Sequence, residues 1–232
     1  MSLPARIVTL LVAFLAVAAG VAFLVVHYLL ASPPTVDFTA GVQPNTGATV
    51  HVVMQEAPVN TVSTHPVWVS YFIQDPKTRQ WVHTTLFTVP AGTTVDMTVY
   101  GYDSCTPLRN NFWSYVTGTV GRVAFENGRP FTVLSSWSGC NVGHTFSIPA
   151  INLNVPMGSP TLAQAANPGV CSTAPCTPDN PHKTMTFSFV TPHTPGSYFW
   201  QCRIPCGGGF IAGFGGPMQT IGFMTGNMEV VS

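Results

Sequence analysis

Cys202 and Cys206 stand four residues apart in SYFWQCRIPCGGGFIAGFGGPM (197–218), where a strand-like run gives way to a glycine-rich stretch closing on Met218. Two thiolates at i and i+4 beside a thioether make a soft donor set of the kind that suits copper in both its oxidation states. Copper loops of this type usually add an imidazole, and no histidine occurs between Cys206 and Ser232. In an oxidising compartment the same spacing permits a disulfide where the Cα atoms approach within about 7 Å. Two buried free thiols are the third reading, and spacing does not choose among the three.

The elements that must position these sulfurs read as strands. Apolar runs occur at Thr49–Glu56, Val67–Ile73, Trp81–Val89 and Thr94–Tyr100, separated by turn residues such as Pro90-Ala91-Gly92. WVHTTLFTV alternates apolar and polar residues as a half-buried strand does. Gly118–Phe125 and Pro130–Leu134 flank Asn127-Gly128, a strong hairpin signal. His144–Ile148, Leu153–Val155, Lys183–Val190, Ser197–Gln201 and Gln219–Val231 complete the set. Strand 183–190 leads away from one end, turns at 191–196, and returns to deliver Cys202 to that end. His193 on the turn is then roughly 30 Å from Cys202, at ~3.3 Å per residue. His182, at the start of the outgoing strand, is expected at the cysteine end. His51, His65 and His83 have no partner spacing that suggests a metal site.

Composition narrows the class. Charged residues are 7% of the chain, formal net charge is zero, and hydrophobic residues are 46% with 11% aromatic. A nucleic-acid reader working by phosphate neutralisation is excluded. So is a disordered tail, because this composition buries a core. The eight Asp and Glu show no paired carboxylates at useful spacing in sequence, and GGGF lacks the Lys-Ser/Thr of a phosphate loop. The chain is therefore not expected to be catalytic alone. Ile7 to Leu30 is an apolar run of about 24 residues, long enough at ~1.5 Å per residue to cross a ~30 Å hydrocarbon layer. It exceeds the apolar region of a signal peptide and reads as a retained anchor. Arg6 is the only cation before it and none follows until Lys77, which puts the following domain outside the cytoplasm. The expected organisation is an anchor at 1–31, a Pro-containing linker at 32–48 and one all-β domain at 49–232, with an insertion at about 106–139.

Six cysteines follow the anchor, on the side where disulfides persist. Cys171 and Cys176 bracket a loop rich in Pro, Asn and Ser and read as a local staple. Cys105 and Cys140 bracket a long excursion and read as a second pair.

HTFSIPAINLNVPM (144–157), MTFSFVTPHTPGSYFWQC (185–202), Cys206-Gly207 and the terminal strand resemble the cupredoxin domain of haem-copper oxidase subunit II. The resemblance is to the single-helix type; it covers roughly 90 residues by motif and 49–100 by strand pattern. It implies a cupredoxin-like Greek-key β-sandwich with one N-terminal transmembrane helix. It also implies a copper centre that takes electrons from a donor such as cytochrome c and passes them to haem within oxidase core subunits. By position, His144 matches the first ligand histidine, and Cys202 and Cys206 match the bridging thiolates. Ile204 matches the residue whose backbone carbonyl is a weak ligand. The family's second histidine and its methionine fall at Phe210 and Gly213; Met218 takes the methionine role if the loop is five residues longer. A metal-free assembly subunit with a Cys202–Cys206 disulfide, and a copper carrier, are the alternative expectations.

Overall fold

The computed structural model describes residues 3–26, 32–58, 61–62, 68–103, 111–134, 142–160, 169–206 and 216–232. The chain forms two units, Met1–Ser32 and Pro33–Ser232. The first holds α1, Leu3–Leu24, whose most apolar window has a mean hydropathy of 2.8. Its 22 residues rise about 33 Å, enough to cross a membrane. Length and apolarity alone do not separate a retained span from a signal sequence. Pro4 lies in the first turn of α1, where a missing N–H costs no helical hydrogen bond.

The second unit is built from β1 (Thr35–Asp37), β2 (Thr49–Ala57), β3 (Ser70–Gln74), β4 (Trp81–His83), β5 (Leu86–Pro90) and β6 (Thr94–Gly101), then β7 (Ala124–Glu126), β8 (Arg129–Phe131), β9 (Val142–Ile148), β10 (Leu153–Gly158), β11 (Lys183–Val190), β12 (Gly196–Gln201) and β13 (Thr225–Val231). One sheet has the order β1-β5-β13-β12-β9-β10, the other β4-β3-β2-β6-β11-β7-β8. The all-β class expected from the sequence is observed, with one apolar N-terminal helix.

Alternation explains why these segments pair face to face. Val95, Met97 and Val99 of β6 and Met185, Phe187 and Phe189 of β11 point inward from the second sheet, and all are buried. Val142, Phe146 and Ile148 of β9 answer them from the first sheet, together with Trp200 of β12. Phe146 lies 5.9 Å from Phe187 and 4.8 Å from Trp200 between ring centroids, and Trp200 meets Tyr71 of β3 edge-on at 5.2 Å. Of the neighbouring aromatics of β12, Trp200 is internal and Phe199 is exposed.

Four expectations need correction. The stretch 32–48 contains β1, which pairs parallel with β5 and buries Val36 and Phe38, so part of it is sheet and not linker. The expected strand Trp81–Val89 is two strands in different sheets. Thr84 divides them: its hydroxyl accepts the Leu86 N–H at 3.1 Å and donates to the Pro34 carbonyl, a local bonding that competes with a ladder. Gly118–Phe125 shrinks to β7 because Gly118 and Gly121 adopt φ of 73° and 71°, a conformation no strand uses. The last strand begins at Thr225 and not at Gln219, because Pro217–Gln219 forms a short 3-10 turn. The hairpin itself is present: Asn127 and Gly128 have φ of 49° and 78°, and β7 pairs with β11 to extend the second sheet.

Cys171 and Cys176 form the expected disulfide. Its loop covers the outer face of β2, where the Gln55 side-chain amide oxygen accepts the Cys176 N–H at 2.6 Å. Cys105 and Cys140 lie outside the described residues.

Gly226 of β13 marks a close backbone approach. It pairs with Trp200, whose indole N–H donates to the Thr85 carbonyl at 3.0 Å, and a Cβ on Gly226 would overlap that same carbonyl. Gly226→Ala is therefore expected to destabilise the domain by about 2–3 kcal/mol. Urea denaturation followed by Trp fluorescence checks it; an unchanged midpoint would contradict the contact.

Candidate metal centre

Four elements from both sheets converge at one end of the domain. β9 is extended on its inward face as Val142, His144, Phe146 and Ile148, so the period of two that builds the core also carries the His144 ring into it. β12 ends at Gln201, which registers with Ser147 of β9, and the chain continues into Cys202 beside that strand. The Cys202 N–H donates to the Met224 carbonyl at 2.9 Å and the Arg203 N–H to the Thr145 hydroxyl at 2.7 Å, which pins the start of the loop. In β2 the inward positions are Val50, Val52, Met54 and then Glu56. β2 runs parallel to β6 with Glu56 opposite Gly101, and two residues later Asp103 arrives at the same place.

The His144 ring is fully engaged at both nitrogens. Nδ1 lies 2.8 Å from Cys206 Sγ and 3.6 Å from Cys202 Sγ, and the two sulfurs are 3.4 Å apart. Nε2 lies 2.9 Å from Glu56 Oε1 and 3.1 Å from Asp103 Oδ2. One N–H points to one acceptor, and the hydrogen-bond geometry goes to Asp103. Glu56 is left with an ion contact, and neither of its oxygens has a well-directed donor among the described residues. Cys202, Cys206, His144 and Glu56 are all buried.

Charge in so dry a site is regulated by its neighbours. Burial pushes the Glu56 carboxyl up to about 7, and the neighbouring His144 charge offsets only part of that. Burial alone would lower His144, but the Cys206 and Glu56 charges, with hydrogen bonds to Asp103 and Cys202, raise it well above the ordinary histidine value. Burial opposes ionisation of Cys202 too, yet hydrogen bonds from Cys206 and His144 and the imidazolium charge hold it well below the usual thiol range. Cys206 goes the other way, raised by burial and by hydrogen bonding to and charge on Cys202. The thiol pair thus keeps one proton between two sulfurs. Tyr71, fully buried and within reach of the same charges, is held protonated first by burial and then by the Cys202 charge.

The expected donors His144, Cys202 and Cys206 are brought together, their ligand atoms all within 4.8 Å of one another. The Ile204 carbonyl faces the sulfurs, 2.9 Å from Cys206 Sγ and 3.6 Å from Cys202 Sγ. The disulfide reading is not what the structure has; both cysteines are free. Met218 sits half-buried in the Pro217–Gln219 turn and packs on the core, with no hydrogen-bond-range contact to either thiol among the described residues. His182 does not join the cluster: it packs against Tyr100 and Tyr102, with Nδ1 on the Asn180 carbonyl. His193 is at the far turn as expected, against Asn45 and Gly92. Phe210, Gly213 and His65 lie outside the described residues.

Glu56 and Asp103 were missed from the sequence, where the acidic residues show no useful pairing. Glu56 had a legible signal, since it continues the inward 50-52-54 series of β2. Asp103 had none, because its placement depends on the β2–β6 register. A second donor group, Glu56, Asp103 and His144, results from their convergence.

No family model and no curated protein matches the chain. Solved structures of rusticyanin do. The chain is similar to a structure of the copper protein rusticyanin at 20% identity, covering 85% of this chain and 82% of that one, with a TM-score of 0.35. It is likewise similar to reduced rusticyanin at 20% identity, with 85% and 84% covered and a TM-score of 0.32. For rusticyanin from Thiobacillus ferrooxidans the values are 20% identity, 83% and 86% covered, and a TM-score of 0.30. At this identity and TM-score the likeness assigns neither ligands nor activity to this chain.

The buried Glu56 generates a pH dependence. Between its ordinary value of 4.5 and about 7 the unfolded chain has released a proton that the folded chain keeps, so this group makes stability fall as pH rises through that window. Glu56→Gln removes the effect. The variant is expected to gain about 3 kcal/mol on the native chain between pH 4.5 and 8. Urea denaturation of the reduced, metal-free protein at both pH values measures it; a difference independent of pH would contradict the burial argument.

Proposed function

We propose that the chain is a membrane-anchored, extracytoplasmic copper protein for electron transfer, serving as a subunit II-like component of a respiratory terminal oxidase. The observation that carries the copper reading is the buried convergence of His144 Nδ1 with the Cys202 and Cys206 sulfurs. The donor chemistry fits: two thiolates and an imidazole, with the Ile204 carbonyl alongside, suit Cu(I) and Cu(II) better than hard cations. When bound there, copper would supply a one-electron redox couple.

The chain's own residues supply the rest. Cys202 is poised as a thiolate in the absence of metal, so one ligand needs no deprotonation on binding. Asp103 accepts from His144 Nε2 and thereby fixes the ring so that Nδ1 faces the sulfurs. Strand β9 holds His144 on a rigid element, the Cys202 and Arg203 N–H bonds pin the start of the cysteine loop, and burial of both sulfurs limits access of water. Such a site reorganises little when its charge changes. The role within an oxidase, next to core subunits and a donor such as cytochrome c, is supported by the 144–157 and 185–202 motifs, and the anchor by the apolar helix Leu3–Leu24.

The test is anaerobic copper loading of the full chain in neutral detergent after thiol reduction. One or two equivalents of copper and a thiolate-to-copper absorption band are expected. Cys202→Ser with Cys206→Ser should abolish both, His144→Ala should weaken binding at least tenfold, and Met218→Leu should shift the band if the thioether is a further donor. A chain with intact, titratable thiols that retains no copper would overturn the reading. A Cys202–Cys206 bridge mapped by mass spectrometry of unreduced protein would replace it with the assembly-subunit alternative.

A further inference from the structure

One residue beyond Cys202, the wall of the domain opens into a cavity of about 590 Å³. The described part of the 106–139 insertion forms one side of it and β10 the other. Phe112, Trp113, Tyr115, Val116 and Leu153 make it predominantly apolar, and its volume lies within the ~300–1,000 Å³ of small-molecule sites.

Several of its polar groups are bonded within the protein. Asn154 donates to the Trp113 and Tyr115 carbonyls at 3.2 and 2.7 Å and accepts from the Ser147 hydroxyl. Thr117 donates its hydroxyl to the Asn152 carbonyl at 2.8 Å. These bonds fasten the insertion to β10. Arg203 is the one cation among the described lining residues. Its guanidinium lies over the Trp113 ring, 5.4 Å from the centroid, and its Nε is buried with no hydrogen-bond partner among the described residues. All eight Asp and Glu of the chain lie among the described residues, and none comes within 4.0 Å of Arg203. A half-buried cation with an unsatisfied donor on an apolar wall is a costly arrangement unless an anion completes it.

We propose that this cavity is a binding site for a small planar aromatic anion. Its ring packs among Trp113, Phe112 and Leu153, and its carboxylate or phenolate pairs with Arg203. Arginine suits the role because its planar fork binds a carboxylate through two N–H groups while its face stays on the indole. The site is independent of metal at Cys202 and Cys206.

Titration of the full chain in neutral detergent with 1-naphthoate, followed by calorimetry and Trp fluorescence, tests it, with 1-naphthalenemethanol as the neutral counterpart. Saturable one-to-one binding of the carboxylate is expected, at least tenfold tighter than that of the alcohol. Arg203→Gln should lose that preference and at least tenfold in affinity, with partial recovery in Arg203→Lys. Leu153→Trp should block both probes while leaving Arg203 in place. Equal affinity for the two probes, no saturable binding, or unchanged binding in Arg203→Gln would each overturn the proposal. The comparison of the two probes on the native chain decides it even if a variant fails to fold.

Discussion

Both sheets meet at the His144 ring, and the arrangement around it depends on how a dry interior tolerates charge. Four acidic groups surround this ring: Glu56 and Asp103 at Nε2, Cys202 and Cys206 at Nδ1. In a medium of low effective dielectric, several uncompensated anions within a few ångströms repel by many kcal/mol. One imidazolium balances one of them. Much of the remainder must carry protons or face a cation, and the directions of ionisation describe the first solution: burial pushes Glu56 and Cys206 toward their protonated forms, while Cys202 is drawn toward the thiolate. A metal ion at the sulfurs is the second solution, since it replaces the proton on Cys206 and supports the thiolate charge of Cys202.

This makes the inter-sheet contact between Glu56 and His144 more than a tie between strands. His144 belongs to β9 in one sheet and Glu56 to β2 in the other, and they touch at 2.9 Å. Any change in the separation of the sheets at this end alters the field at the ring. The aromatic packing of Phe146, Trp200 and Tyr71 behind the site resists such a change, because a close-packed interior transmits displacement and does not absorb it. Core and site are thus one construction. Phe146 is two residues from His144 on the same strand face, and Trp200 is two residues before Cys202.

How much of this was legible follows from the range of each interaction. Strand identity came from alternation, a local property, and the two-sheet class followed. The cysteines and His144 stood out because their types and neighbours form a motif within short segments. What escaped were features set by long-range register. β1 was hidden because three residues after Pro33-Pro34 carry too little pattern, and only pairing with β5 makes them a strand. Asp103 reaches His144 only because β2 and β6 run parallel with Glu56 opposite Gly101. His182 was assigned to the right end of its strand, but it turns to Tyr100 and Tyr102, a choice made by side-chain packing and invisible to strand arithmetic. Glu56 is the instructive miss. A carboxylate in phase with Val50, Val52 and Met54 could be read as buried, and a buried carboxylate needs a partner.

The two nitrogens of one ring therefore divide the site by chemical hardness, with sulfur on one side and oxygen on the other. This division bears on the histidine that the 207–232 segment lacks. A second imidazole at copper would add a neutral donor; here the ring that is present has carboxylates on its far nitrogen, which make it a stronger electron donor than an imidazole bonded to water or a carbonyl. Negative charge at Nε2 stabilises the more highly charged state of whatever cation sits at Nδ1, whereas the two thiolates are soft enough to favour the lower one. With copper bound as proposed, the balance between these opposing pulls would set the potential of the centre, and it would rest on whether Glu56 is ionised. Adding positive charge at Nδ1 favours the ionised carboxylate, so metal binding and loss of the Glu56 proton are linked through the same ring.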